Sequence, residues 1–168
     1  RRDRYLRGGD HSPFLDQGFA ALRFTEPYEV FARQHQDVRV ENGIQYGDLP
    51  DFVDFAYTAE VARVNAAVLA EIARAPATPR GVEVDTVKLE NDTTLRWEPN
   101  SEPDLAGYRI VWRDTTMPQW EHALYLPKDG TRHTVKGWSK DNVIFGVQAV
   151  DRDGHTSPAV YPKPRRTP

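Results

Sequence analysis

An α/β segment followed by an all-β sandwich is the fold that this 168-residue sequence predicts. Three observations carry that expectation. Before residue 77 the apolar residues recur at helical spacing. After it they alternate. The two patterns meet at "ARAPATPRGVEV", where Pro76 and Pro79 flank Ala77 and Thr78. Proline removes a backbone donor and restricts the residue before it, so a helix entering this stretch stops there. Composition changes at the same place: no lysine precedes Lys88, and five occur from there on. The expected boundaries are 1–77 for the α/β segment, 78–161 for the sandwich and 162–168 for a tail.

Taken in order, "SPFLDQGF" has the signals of a helix opening. Ser12 is its expected N-cap, Pro13 its first helical residue and Gly18 its stop. "AALRFTE" reads as a short strand, and a polar loop from Glu26 to Asp37 follows it. "DFVDFAYTAEVARVNAAVLAEIARA" then reads as a long helix with Asp51 as N-cap. Phe52, Phe55, Ala59, Ala62, Ala66, Leu69 and Ala73 form one apolar stripe; Val61, Val64, Val68 and Ile72 form a second. A helix apolar on more than one face is expected to be buried on more than one face. Helix, glycine, strand, loop and long helix is α/β order, and ligands of such folds sit beyond the carboxyl ends of strands.

After the join, "TTLRWEP", "GYRIVWR" and "NVIFGVQAV" alternate or run apolar and are rich in β-branched and aromatic residues. The turn signals "EPNSEPD", "PKDG" and "DRDG" separate them, at the spacing of a sandwich. "PKPRRTP" is expected to be extended or disordered. Trp112, Trp120, Trp138 and Tyr125 have two readings: core and strand-covering residues, or a docking face for the first half, a carbohydrate or a peptide. His122, His133 and His155 are read as surface or hydrogen-bonded histidines.

Bulk properties narrow the function classes. With 39% hydrophobic and 28% charged residues, the chain has the composition of a globular protein. A net charge of −3 gives no electrostatic reason to expect nucleic acid or an anionic membrane as a partner. No apolar run is long enough for a transmembrane helix. Absence of cysteine excludes disulfides and thiolate metal sites. The abrupt start "RRDRYLRGGD" is read as the stump of a longer polypeptide.

Two resemblances add to this. "LRWEPNSEPDLAGYRIVWR", then "FGVQAVDRDGHTSP", resembles a fibronectin type III domain, an immunoglobulin-like sandwich. Trp97 matches its buried tryptophan and Tyr108 the tyrosine that opens its third strand; Asp153-Gly154 and Ser157-Pro158 match its closing turn. The first half, "GGDHSPFLDQGFAALRFTE" with "RQHQDV" and the run into the alanine-rich helix, resembles the C-terminal end of clan MH zinc aminopeptidases. That group includes bacterial secreted aminopeptidases, glutamate carboxypeptidase and glutaminyl cyclase.

The second resemblance implies that His35 is the last metal ligand in chain order. Asp10 and His11 fall on the family's Asp-His pair and would support the site, with Asp37 or Asp10 orienting the His35 ring. The other ligands and the general base would lie upstream, so this chain would supply no catalytic residue and would not hydrolyse peptides alone. The intact enzyme implied is a secreted or periplasmic bacterial aminopeptidase with two zinc ions and a peptide substrate. Its first partner would be the remainder of its own catalytic domain. The alternatives are a non-catalytic binding module and a metal-free relative of the peptidases.

Overall fold

The computed structural model describes residues 8–165, apart from 18, 20, 26, 27, 88 and 89. The chain divides into two compact units between Arg63 and Val64.

In the first unit, helix α1 (Ser12–Asp16) is a single short turn with His11, not Ser12, at its N-cap. The expected stop, Gly18, lies outside the described residues. "AALRFTE" forms no strand at residues 21–25. A strand exists only where a second strand completes its ladder, and none of the described residues pairs with this segment. The described part of this unit therefore gives no evidence of the α/β order. Its only sheet is the hairpin of β1 (Arg39–Glu41) and β2 (Ile44–Tyr46), paired antiparallel. Asn42 and Gly43 close it, both with positive φ (52° and 77°), which is the conformation a two-residue hairpin turn demands.

A single 3-10 turn (Pro50–Phe52) leads into α2 (Phe55–Arg74). Its cap is Asp54 rather than Asp51: the Tyr57 backbone N–H donates to the Asp54 carboxylate at 2.9 Å. The sequence offers both aspartates, but Asp51 sits inside the tighter 3-10 turn Pro50–Phe52, which ends at Val53. None of the residues of α2 is buried, contrary to the two-face expectation; Leu69 is 67% exposed. Among the described residues no helix is long and apolar enough to cross a membrane.

The sandwich consists of two sheets. One has the order β7 (Arg132–Val135), β4 (Thr93–Arg96), β3 (Glu83–Asp85) and β9 (Lys163–Arg165). The other has the order β6 (His122–Pro127), β5 (Leu105–Asp114) and β8 (Val143–Asp151). The predicted strands are all present. Period two explains the core: Leu95 and Trp97 point inward from the first sheet, and Tyr108, Ile110, Trp112, Phe145, Val147 and Ala149 from the second. Each fully buried large side chain there contributes roughly 1.5–3 kcal/mol. Trp97 and Tyr108 meet edge to face, ring centroids 5.2 Å apart. The Tyr108 hydroxyl accepts the Asn100 N–H at 2.7 Å, so the ring is anchored at its polar end.

Part of the tail is extended, and it is also paired. Lys163–Arg165 pairs in parallel with β3, and Thr86 donates to the Arg165 carbonyl at 2.9 Å. Its own strand propensity is poor; the ladder that β3 offers decides the outcome.

Candidate functional site

In the first unit, Gly8, Gly9, Asp10, His11, Leu22, Arg23, Gln34 and His35 line a cavity of about 650 Å³. Three of the four site residues read from the sequence therefore converge: Asp10, His11 and His35. Asp37 does not line the cavity; its backbone carbonyl accepts from Arg39 at 3.4 Å.

Each wall has a local cause. The Gly8–His11 wall folds back on itself, Ser12 N–H to Gly9 carbonyl at 2.9 Å, and enters α1. A Cβ on Gly9 would sit 3.0 Å from the His11 ring and 3.2 Å from Arg23, so the missing side chain lets both close in. His11 is buried, whereas His35 is exposed at the cavity.

The His35 wall is a bend held on both sides. Arg33 N–H bonds to the Val30 carbonyl at 3.0 Å, and Gly47 N–H to the Ala32 carbonyl at 3.1 Å. The Arg33 guanidinium lies over the Phe52 ring, 3.9 Å from its centroid. Within this bend His35 has φ 54°, a conformation that side chains with a Cβ rarely adopt. Such strain persists only where the surroundings impose it, and it gathers at functional positions. Its ring makes no hydrogen bond among the described residues, so neither Asp10 nor Asp37 orients it here.

Two residues that sequence reasoning missed join the walls. Arg23 donates to the Gly8 carbonyl at 2.7 Å and approaches Glu29 at 3.8 Å. Glu29 also accepts from Thr25 at 3.0 Å and from Gln34 at 3.3 Å. A chain of polar contacts therefore runs from the Gly8 wall through Arg23 and Glu29 to the residue before His35. Pairs at the surface of a protein add little stability; the effect of this half-buried chain of contacts is on position. Arg23 sits in the segment read as a strand, and nothing in its spacing marks it.

Among the described residues no three His, Asp or Glu side chains gather as a metal ion requires. Zinc takes at least three protein ligands. The described residues by themselves thus gather no zinc site, although His35, exposed on a pinned bend at a cavity, suits one ligand position.

No protein-family model matches the chain. Three similar fungal proteins are each named a probable zinc metalloprotease. Those of Pyrenophora tritici-repentis and Pyrenophora teres f. teres are both 52% identical over 98% of this chain and 34% of their own length. That of Leptosphaeria maculans is 51% identical over 98% of this chain and 38% of its own. The chain thus spans about a third of the length of the curated relatives it matches. It is a homologue, along nearly its whole length, of proteins named as zinc proteases. The relatives are fungal rather than bacterial, which revises the expected source. Among solved structures, a Fn3-like protein from Clostridium thermocellum aligns with 56% of this chain and 98% of its own, at 18% identity and TM-score 0.43. The fn3 domain of the human collagen alpha-1(XX) chain aligns with 56% and 92%, at 13% identity and TM-score 0.43.

Proposed function

We propose that this chain is the C-terminal part of a secreted zinc-dependent aminopeptidase, with a fibronectin type III-like domain appended. The observation that carries the reading is the cavity where the Gly8–His11 wall meets a strained, pinned His35. The names of the relatives support a zinc protease, and the resemblance of "GGDHSPF…RQHQDV" supports the exopeptidase type.

In this reading His35 presents one imidazole nitrogen to a metal, and the other ligands and the general base come from the preceding part of the catalytic domain. Two zinc ions are expected, and zinc supplies a lowered pKa for bound water and polarisation of the scissile carbonyl. This chain's residues hold and frame: Arg23 and Glu29 fix the distance between the walls, while Asp10 and His11 form the floor beside His35. The same preceding segment would cover the apolar side chains now in solvent, among them Phe14, Phe31 and Leu69. The substrate is a peptide with a free N-terminus.

In the complete enzyme, His35→Ala is expected to lower bound zinc and peptidase activity together, measured by elemental analysis and hydrolysis of an aminoacyl anilide. Full zinc with full activity would overturn the assignment. The 168-residue chain alone is expected to show no hydrolysis; zinc-dependent release of the anilide by it would overturn the division of labour.

A further inference from the structure

The turn of the hairpin holds a chemistry that the peptidase reading does not use. Asn42 is followed by Gly43, and both are exposed. The other asparagines, Asn65, Asn91, Asn100 and Asn142, precede Ala66, Asp92, Ser101 and Val143. A side chain on the following residue crowds the peptide nitrogen between the two; glycine leaves that nitrogen open. A Cβ on Gly43 would meet no atom within 4 Å, so the space beside the turn is free.

Both reacting groups are unengaged. Among the described residues, neither the Asn42 carboxamide nor the Gly43 N–H makes a hydrogen bond. Asn100 differs: its Nδ2 donates to the Ala77 carbonyl at 2.9 Å. Asn65 lies within α2, where the helical ladder fixes the backbone. The hairpin itself is slight. β1 and β2 hold three residues each, and every residue of β1 is exposed. A two-stranded hairpin is marginal by itself, so it opens locally at little cost. The positive φ of Asn42, 52°, costs energy even for asparagine, and opening relieves it.

We propose that Asn42 is a site of spontaneous deamidation, and that its conversion loosens the bend that carries His35. In the opened turn, the Gly43 nitrogen gives up its proton and attacks Asn42 Cγ. The bond from Cγ to the side-chain nitrogen breaks, ammonia leaves and a succinimide ring closes. Water then adds to one of the two ring carbonyls. Breaking the ring bond at Cγ restores the ordinary backbone as aspartate. Breaking it at the Asn42 main-chain carbonyl leaves the chain running through Cγ, as isoaspartate. The sum is asparagine and water to an acid and ammonia, with no oxidant or other reactant. Isoaspartate lengthens the main chain by a methylene, and either product sets a carboxylate beside Glu41.

The consequence reaches the cavity through β2. Asn42 and Gly43 close the pairing of Glu41 with Ile44, and a lengthened turn no longer fits that register. β2 ends at Tyr46, next to Gly47. Gly47 is buried, and a Cβ on it would stand 2.8 Å from the Val38 backbone, so the hairpin is seated closely there. Its N–H holds the Ala32 carbonyl at 3.1 Å, one of the two bonds that pin the His35 bend. A slipped hairpin releases that bond. This last step bears on a zinc ligand only under the peptidase reading.

The test is ageing of the pure 168-residue chain in mildly alkaline buffer, followed by tryptic mass spectrometry and isoaspartyl methyltransferase labelling. Alkali speeds the reaction because the attacking nitrogen must lose its proton. The expected result is conversion at Asn42 ahead of Asn65, Asn91, Asn100 and Asn142, with the label confined to the peptide of residues 40–63. Asn42→Gln should abolish the label, since the longer side chain closes its ring slowly. Hydrogen exchange on the aged chain should show lost protection at the Gly47 N–H, while the Ile110 and Val147 N–H groups stay protected. No conversion at Asn42, conversion there only in urea, or conversion at the other asparagines at the same rate would overturn the site. An unchanged Gly47 N–H in the converted chain would overturn the link to the bend. Neither readout uses zinc or hydrolysis, so failure here leaves the peptidase reading standing.

Discussion

The two regions of this chain are held together by different means. The hydrophobic core among the described residues, from Val82 to Ala149, lies in the sandwich. In the sandwich, polar contacts trim a core that already exists: the Tyr108 hydroxyl, Thr93 to the Trp138 carbonyl at 2.7 Å, and Ser157 accepting the Ala149 N–H at 2.9 Å. In residues 8–54 the order is reversed. Caps, turns and the Arg23–Glu29–Gln34 contacts hold the chain, while Phe14, Phe19 and Phe31 stand in solvent. One region is organised by what it hides. The other is organised around an opening, with His35 and His11 placed by hydrogen bonds and a bend.

The sharpest way to break this contrast is in the sandwich core. Tyr108→Ala removes a ring that is fully buried, together with its contact to Trp97 and its bond to Asn100. A loss of about 3–5 kcal/mol is expected, read by urea denaturation with tryptophan fluorescence. A loss under about 1 kcal/mol would mean that the core is not the source of stability.

Acid should act next, and on the sandwich. Burial pushes the Asp151 carboxyl up, but the His155 ring at 2.8 Å and the His155 backbone N–H at 2.8 Å hold it below the ordinary carboxylate range. Burial likewise pushes the Glu102 carboxyl up, but hydrogen bonds from its own backbone N–H, from the Ala77 N–H and from the Asn100 side chain hold it below the ordinary carboxylate range. Carboxyls with folded pKa values below their unfolded ones add stability above the unfolded values, and the gain disappears as pH falls through the folded ones. The urea midpoint should therefore fall on acidification below about pH 4, and Asp151→Asn should flatten that fall. A midpoint independent of pH there would contradict the assignment.

The smallest effect is expected on α2. Leu69→Ala in this chain should change stability by less than about 0.5 kcal/mol, followed by helical circular dichroism on heating. A larger loss would show that α2 is covered in solution, and the contrast between the regions would then narrow.

The sandwich was legible because its signals are local and repeated: alternation, β-branched residues, and turns such as Asp153-Gly154. The hairpin was equally legible from Asn42-Gly43, since that pair between short apolar runs is a strong turn signal. "AALRFTE" misled because strand character belongs to a pair of segments, and its composition cannot say whether a partner is at hand. Asp51 and Asp54 differ by one helical turn, a distinction that capping chemistry alone does not make. At the cavity, Asp10, His11 and His35 came from a resemblance over ordered motifs. Arg23 and Glu29 act only through residues distant in sequence, so no spacing rule could have marked them.

The short β9 strand has a consequence for how these molecules behave in company. A sheet edge is a template, and an open one invites the next chain to continue the ladder. β9 occupies the flank of β3 and presents Lys163, Pro164 and Arg165 beyond it. Proline cannot donate to a further strand, and the Lys163 cation repels its own copy. The last described residues thus end the sheet against growth, so crowded molecules meet at a flank that refuses fibre-like stacking.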